Sequence, residues 1–354
     1  MEIVNHTPLR HFAFESRTPD DEAHAVVVVR GTFAIDDGRP LRPLPRQEPV
    51  RLVSEHRGSP ASSSLRADTD LAPFKPRADI HIDAVARAPG GRPAPSWAVR
   101  IRVGNRTKDL MVRGPYEWRR RAMRGWVASK PEPCTEVPLI YEHAFGGTVW
   151  IGDEEHVDEH NPVGAGWIPR DLPRDRVIRG ARVIGPGFDD DPTMARRPEG
   201  VGPVPPGWLP RRARAGTFDE AWRRERWPRM PADFDYRFYN SAHDDLVCDG
   251  YLRGDERIEL VHLGPNGSTI STRLPAMRVF GLGWLANGAF GPLVLRLDTL
   301  FLDVASADCS THRAYLTWRG ICSASDVVRV IEIRMEQPER GRERSLKLER
   351  SDGG

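Results

Sequence analysis

Lysine is nearly missing from this chain: of its 52 basic residues only Lys75, Lys108, Lys130 and Lys347 are lysines. The positive charge is therefore carried by arginine, whose planar fork suits bidentate pairing with the 50 acidic residues present. A net formal charge of +2 gives no basic excess of the kind that marks a nucleic-acid-binding chain. Cysteine is scarce as well. Cys134, Cys248, Cys309 and Cys322 lie far apart without a C-x-x-C pair, so neither a zinc site nor a disulfide framework is signalled. No apolar run approaches the roughly 20 residues of a membrane helix, and the opening MEIVNHTPLRHF lacks the basic and apolar regions of a Sec signal. The cytoplasm is the expected compartment, without membrane insertion.

What is abundant is turn chemistry. The 32 Gly and 32 Pro favour β structure over helix in a chain whose 354 residues suggest about two domains. Val26 to Val29 form an apolar run too short for a helix and suited to a strand buried on both faces. Ile80, Ile82 and Ala84 alternate with His81, Asp83 and Val85, and Trp97, Val99, Ile101 and Val103 alternate with Arg100 and Arg102, as half-buried antiparallel strands do. Pro89, Gly90 and Gly91 supply the turn between them. From Asp36 to Lys75 the sequence reads as loop, with at most a short strand near Val50 to Val53. The period of two returns after Tyr251, at Ile258 and Leu260, at Leu293, Leu295 and Leu297, and at Ala314, Leu316 and Trp318; Val327 to Ile333 closes the ordered chain. The fold class expected is mainly β: two antiparallel, sandwich-like sheet units (residues 1–115 and 243–335) joined by a long irregular strap (116–242) rich in Pro, Gly and aromatics, then a mobile charged tail (336–354).

The strap is the most unusual stretch. Five prolines between Pro198 and Pro210 fix φ and remove backbone donors, which leaves an extended course. Thr217-x-x-Glu220 has the form of a capping box. It predicts a short helix over Phe218 to Trp227, with Phe218 and Trp222 four apart on one face and Pro228 turning Trp227 out of the α region. Beyond it, Phe234, Tyr236, Phe238 and Tyr239 place aromatic bulk beside Asn240.

Together with KPRADI from Lys75, PLIYEHAFGG from Pro138 and NPVGAGW from Asn161, this strap resembles the bacterial domain-of-unknown-function family twenty-one sixty-nine. The resemblance covers the chain to about Ile333, with the motifs in the family's order. It implies a non-enzymatic adaptor or chaperone of type VI secretion, whose partners are a secreted toxin effector and the spike or spike-tip protein. It carries over no catalytic residue, cofactor or metal. Tyr141, Phe145, Trp208, Phe218, Trp222 and Phe238 are the candidate protein-binding residues in the matching motifs, since aromatics dominate interface hot spots. Each is also a candidate for the core, where aromatics concentrate before they serve an interface.

Two rival readings come from other motifs. His156, Glu159 and His160 spell H-x-x-E-H, the inverted zincin pattern of a metal-dependent hydrolase, which needs both histidines on one helix. Asn161-Pro162 disfavours helix there, and Asp153, Glu154, Glu155 and Asp158 suggest a solvated acidic loop. Gly281, Gly283 and Ala286 fit a loose dinucleotide fingerprint with Asp303 downstream, but Asn287, Gly288, Gly291 and Pro292 interrupt the helix it requires, so a glycine-rich hairpin is expected. A structural component of the secretion machine is the remaining alternative.

Overall fold

Val26 to Val29 are wholly buried, as their unbroken apolar run predicts, and sit within strand Ala23–Ala34 of the largest sheet. The computed structural model describes residues 2–187, 192–194, 197–285, 288–323 and 328–336, and within them the chain is mainly β. Strand Arg10–Arg17 forms one edge of the largest sheet; Ala23–Ala34, Arg313–Ser323, Arg296–Val304, Asp79–Arg87 and Glu136–Pro138 follow in that order. The expected N- and C-terminal units thus share one sheet, because strands from residues 296–323 lie between Ala23–Ala34 and Asp79–Arg87. Two further sheets complete the sandwich-like arrangement: one of Val183–Ile184, Arg106–Arg113, Ser96–Val103, Arg257–Val261 and Ile270–Arg273, and one of Glu2–Asn5, Val328–Glu336, Arg278–Leu285 and Phe290–Leu293. Val27, Ile80, Leu300 and Leu316 of the largest sheet, Ile101 and Leu260 of the second, and Ile331 of the third join one apolar cluster. Hydrophobic burial on this scale is the main force holding the sheets together.

Strand Asp79–Arg87 departs from the half-buried antiparallel strand expected. It runs parallel to Arg296–Val304 and is buried on both faces. Its second face is polar, and so are its neighbours: Asp79, His81, Asp83, Arg87, Thr299, Thr317, Arg319, Arg30 and Thr32 are all buried. Such groups stay buried only when paired. Segment 36–75 supplies part of the pairing. Asp70 accepts from Arg30 at 3.2 Å, and Arg57 and Arg66 each reach Asp83 at 2.9 Å. Arg319 pairs with Asp298 at 2.7 Å, and the Arg30 guanidinium lies 4.5 Å over the Tyr315 ring. The arginine bias of the sequence is thus partly spent on a buried ionic layer.

Other expectations need correction. No strand forms near Val50 to Val53; segment 36–75 instead carries Arg42–Pro43, Glu55–His56 and Leu65–Ala67. Segment 116–242 is not irregular throughout. Strands such as Glu117–Arg121, Gly125–Ala128, Thr148–Ile151 and Glu154–Val157 run as far as Val183–Ile184, each too short to print a period in the sequence. Gly281 and Gly283 lie in strand Arg278–Leu285, paired antiparallel with Phe290–Leu293 as the hairpin reading expects; Ala286 and Asn287 lie outside the described residues, as do Val327 and nearly all of the expected charged tail. Among the described residues no helix is long and apolar enough to cross a membrane.

Candidate functional site: the aromatic strap

The extended, proline-rich part of the strap is tied to the largest sheet by its own backbone. The Val201 carbonyl accepts from Ile82 N at 2.8 Å, and Val204 N donates to the Ser241 carbonyl at 2.7 Å. Gly200 is required where it stands, since a Cβ there would fall 2.2 Å from the Tyr141 ring. Tyr141 is buried, with burial pushing its phenol pKa well above the ordinary value, and Trp208 meets its ring edge-on at 5.6 Å. Phe145 is buried against Ala181 and Ile184. Of the six aromatic candidates, Tyr141 and Phe145 are therefore core residues, while Trp208, Trp222 and Phe238 are half-buried. Phe218 remains 59% exposed.

The far end of the strap is clamped to the polar face of the sheet. Asn240 Nδ2 donates to the Arg77 carbonyl at 2.8 Å and to Asp79 Oδ1 at 2.9 Å. Ser241 N donates to Asp79 Oδ2 at 3.0 Å, which also accepts from Lys75 Nζ at 2.7 Å. Arg211, buried beneath Phe238 with its guanidinium 5.1 Å from the ring centre, reaches Asp68 at 2.9 Å and the carbonyls of Val204 and Phe238 at 2.7 and 2.8 Å. Burial raises the pKa of the Asp68 carboxyl, but Arg211 and Ser54 outweigh it and hold the group below its ordinary value. Ser241, His81 and Asp79 invite comparison with a catalytic triad. However, Ser241 Oγ at 3.2 Å and Asp79 Oδ2 at 3.9 Å approach the same ring nitrogen, Nε2. A triad needs its acid on the opposite nitrogen, so this is a structural contact.

The helix of the strap is shorter than expected, Glu220–Glu225. Its N-cap is Asp219, whose carboxylate accepts from Trp222 N at 2.8 Å. Thr217 is instead tied to Asp233 through its backbone N at 2.9 Å and its hydroxyl at 2.7 Å. The capping-box reading is corrected accordingly: an Asx cap two residues later accepts from Trp222 N, where the box would have used Glu220 N. Trp222 Nε1 donates to the Arg229 carbonyl at 2.9 Å. Arg226 closes the far side through the carbonyls of Met230 at 2.9 Å and Pro19 at 2.6 Å. On this frame Phe218 and Trp227 stack edge-on against Trp222, with ring centres 4.8 and 5.6 Å away. Trp227 is 69% exposed. Asp219→Ala is expected to cost about 1 kcal/mol of local helix stability, seen as faster amide exchange over Glu220–Glu225, whereas Thr217→Ala loosens only the tie to Asp233. Equal acceleration in both variants would return the cap to Thr217.

Beside the clamp lies a small open cleft lined by Tyr141, His160, Leu209, Arg214, His243 and Asp244 among others. His156 sits on strand Glu154–Val157, not on a helix, and Glu159 pairs with Arg212 at 2.7 Å. The H-x-x-E-H residues thus lack the helical frame of their motif. Among the described residues, Glu199, His243 and Asp245 are the side chains gathered closely enough for three metal ligands, within 4.8 Å of one another. A cation already stands between them. Lys108 Nζ, itself buried, lies 2.5 Å from Glu199, 3.0 Å from His243 Nδ1 and 3.1 Å from Asp245.

Sequence reasoning missed the clamp. Lys75 and Asp79 stand at the two ends of KPRAD, and Asn240-Ser241 directly follows the aromatic cluster, but their pairing spans more than 160 residues. The one local signal was Asp, His and Asp alternating with apolar residues in Asp79–Arg87, a polar face long enough to need a cover. No curated protein and no solved structure matches the chain. A family described as uncharacterized protein conserved in bacteria, DUF2169, matches residues 20–319. That stretch runs from the turn before strand Ala23–Ala34 to Arg319 in the ionic layer, taking in the whole clamp and the ring ladder, and the chain belongs to the DUF2169 family.

Proposed function

We propose that the protein is a non-enzymatic adaptor that binds a type VI secretion effector in the cytoplasm and passes it to the secretion spike. The observation that supports protein binding is the ladder Phe218–Trp222–Trp227, which holds two largely exposed rings on a short, hydrogen-bonded frame. Exposed aromatics that lie next to one another, unlike ones scattered singly, mark interaction sites, and their fixed geometry lowers the entropy lost on binding. The secretion role rests on the resemblance of the strap and its companion motifs, not on this geometry.

The test is capture of the toxin encoded beside a type VI spike gene in the same genome. Phe218→Ser with Trp227→Ser is expected to weaken capture by at least about 30-fold, the loss of one hot-spot contact or more. The melting midpoint should stay near that of the unaltered protein, since neither ring belongs to the core. Capture at undiminished affinity by a folded double variant would remove the ladder from the binding surface. Failure of the unaltered protein to capture any such toxin would remove the adaptor role itself.

A further inference from the structure

Strand Arg10–Arg17 ends the largest sheet. It pairs along its full length with Ala23–Ala34 without a register shift, and among the described residues no strand lies on its other side. Protein edges are ordinarily blunted by short length, charged side chains and above all lysine, proline, a bulge or a covering element, because an open row of backbone donors and acceptors recruits another strand. This edge has eight residues, RHFAFESR, with no proline, lysine or bulge; its charges are of both signs and sit toward its two ends, Arg10 at one, Glu15 and Arg17 at the other, the last paired with Asp21 at 3.0 Å, which leaves Phe12, Ala13 and Phe14 at its centre. We infer that a second copy of this chain occupies it, antiparallel, about a two-fold axis through Ala13.

The side-chain pattern selects both the partner and the register. A two-fold axis perpendicular to the sheet keeps each side chain on its own face, so only registers centred on a residue are allowed. Centred on Ala13, the pairing sets Phe12 opposite Phe14, His11 opposite Glu15 and Arg10 opposite Ser16 of the second copy. Centred on Phe14, it would set His11 opposite Arg17 and Phe12 opposite Ser16. Aromatic pairs and hydrogen-bonded or opposite-charge polar pairs across strands are the favourable ones. The residues are ready for the first arrangement. Phe12 is exposed and stacks on Phe14 at 6.3 Å, so the four rings of a dimer would form one continuous patch. Glu15 is exposed and has no ion-pair partner among the described residues. Asn5 Nδ2 lies 3.0 Å from His11 Nδ1, while Asn5 Oδ1 accepts from Thr7 N and its hydroxyl. The amide orientation is thereby set, His11 Nδ1 must accept, and the proton on Nε2 is left to donate to a carboxylate.

Sedimentation equilibrium of the full chain at micromolar concentrations tests this. The unaltered protein is expected to be a dimer in reversible equilibrium with monomer. His11→Glu sets carboxylate against carboxylate, and Glu15→Lys removes the acceptor and sets a cation against the histidine. Each acts twice per dimer, and each is expected to weaken dimerisation by about tenfold without moving the melting midpoint of the monomer. The double variant sets a carboxylate opposite an ammonium and is expected to recover dimerisation, which a merely damaged surface would not do. The inference is overturned by a protein that stays monomeric at high micromolar concentration, by a dimer insensitive to all three variants, or by an extended segment of another protein found paired on this edge.

Discussion

Asp79→Ala is expected to destabilise the protein by about 3–5 kcal/mol, the usual consequence of breaking a buried ion pair from one side. Asp79 has no exposed surface, and its carboxylate serves three donors: Lys75 Nζ, Ser241 N and Asn240 Nδ2. With the carboxylate gone, the buried Lys75 ammonium is left, among the described residues, with the neutral Thr299 Oγ1 at 3.0 Å as its side-chain hydrogen-bond acceptor. Ser241 N loses its acceptor and Asn240 Nδ2 one of its two, and a buried donor without a partner costs about 1–3 kcal/mol. Against a typical total stability of about 5–15 kcal/mol, the loss is large enough to free the strap before the sheets unfold. Urea denaturation measures the first effect. Limited proteolysis between residues 198 and 242 measures the second, because a released strap is cut while the sheets remain intact. A change below about 1 kcal/mol with an unaltered cleavage pattern would show that Asp79 does not hold the strap.

The same layer is expected to make stability fall as pH drops from about 6.5 to 4. His81 is buried under the strap, and burial lowers its pKa to about 4, the nearby Asp79 opposing the shift only in part. In the unfolded chain the imidazole takes up its proton near pH 6.5. Between these values the unfolded state binds the proton and the folded state does not, so the stability conferred above pH 6.5 is lost on acidification, by about 3 kcal/mol in all. Asp79 acts in a different window. Burial pushes its carboxyl up, but Lys75, His81 and Asn240 outweigh that and hold its pKa below the ordinary 3.8, so its own contribution disappears only at more acid pH. His143 and His243 are also lowered by burial and add slope of the same sign. The His81 share is therefore read from the difference between the unaltered protein and His81→Gln, measured by denaturant titration at pH 7 and pH 4.5. Parallel pH profiles for the two would mean that folding leaves the pKa of His81 unshifted.

Features with a short-range physical cause were legible in the sequence alone. The alternation of Ser96–Val103, the doubly buried valines at 26–29, the turn at Pro89–Gly91 and the hairpin in place of a dinucleotide loop all follow from periodicity and turn chemistry acting over a few residues. Pro162 likewise disfavoured the helix that H-x-x-E-H would need, and His156 lies on a strand. The helix cap was misread where two nearby residues fit one local pattern, and Asp233, sixteen residues from Thr217, decided between them. Tyr141 and Phe218 look alike as aromatic residues in turn-rich sequence, yet one is core and the other exposed, because burial depends on what the rest of the chain brings against a ring. Tertiary structure alone decided that strands from opposite ends share a sheet and that Asp79–Arg87 lies parallel to Arg296–Val304. It alone decided that the polar face of that sheet is roofed by the strap through Asp68 and Asp79. Those choices are made by contacts across 140 to 250 residues, whose energy is realised only once the chain has closed the intervening loops, and no local pattern records it.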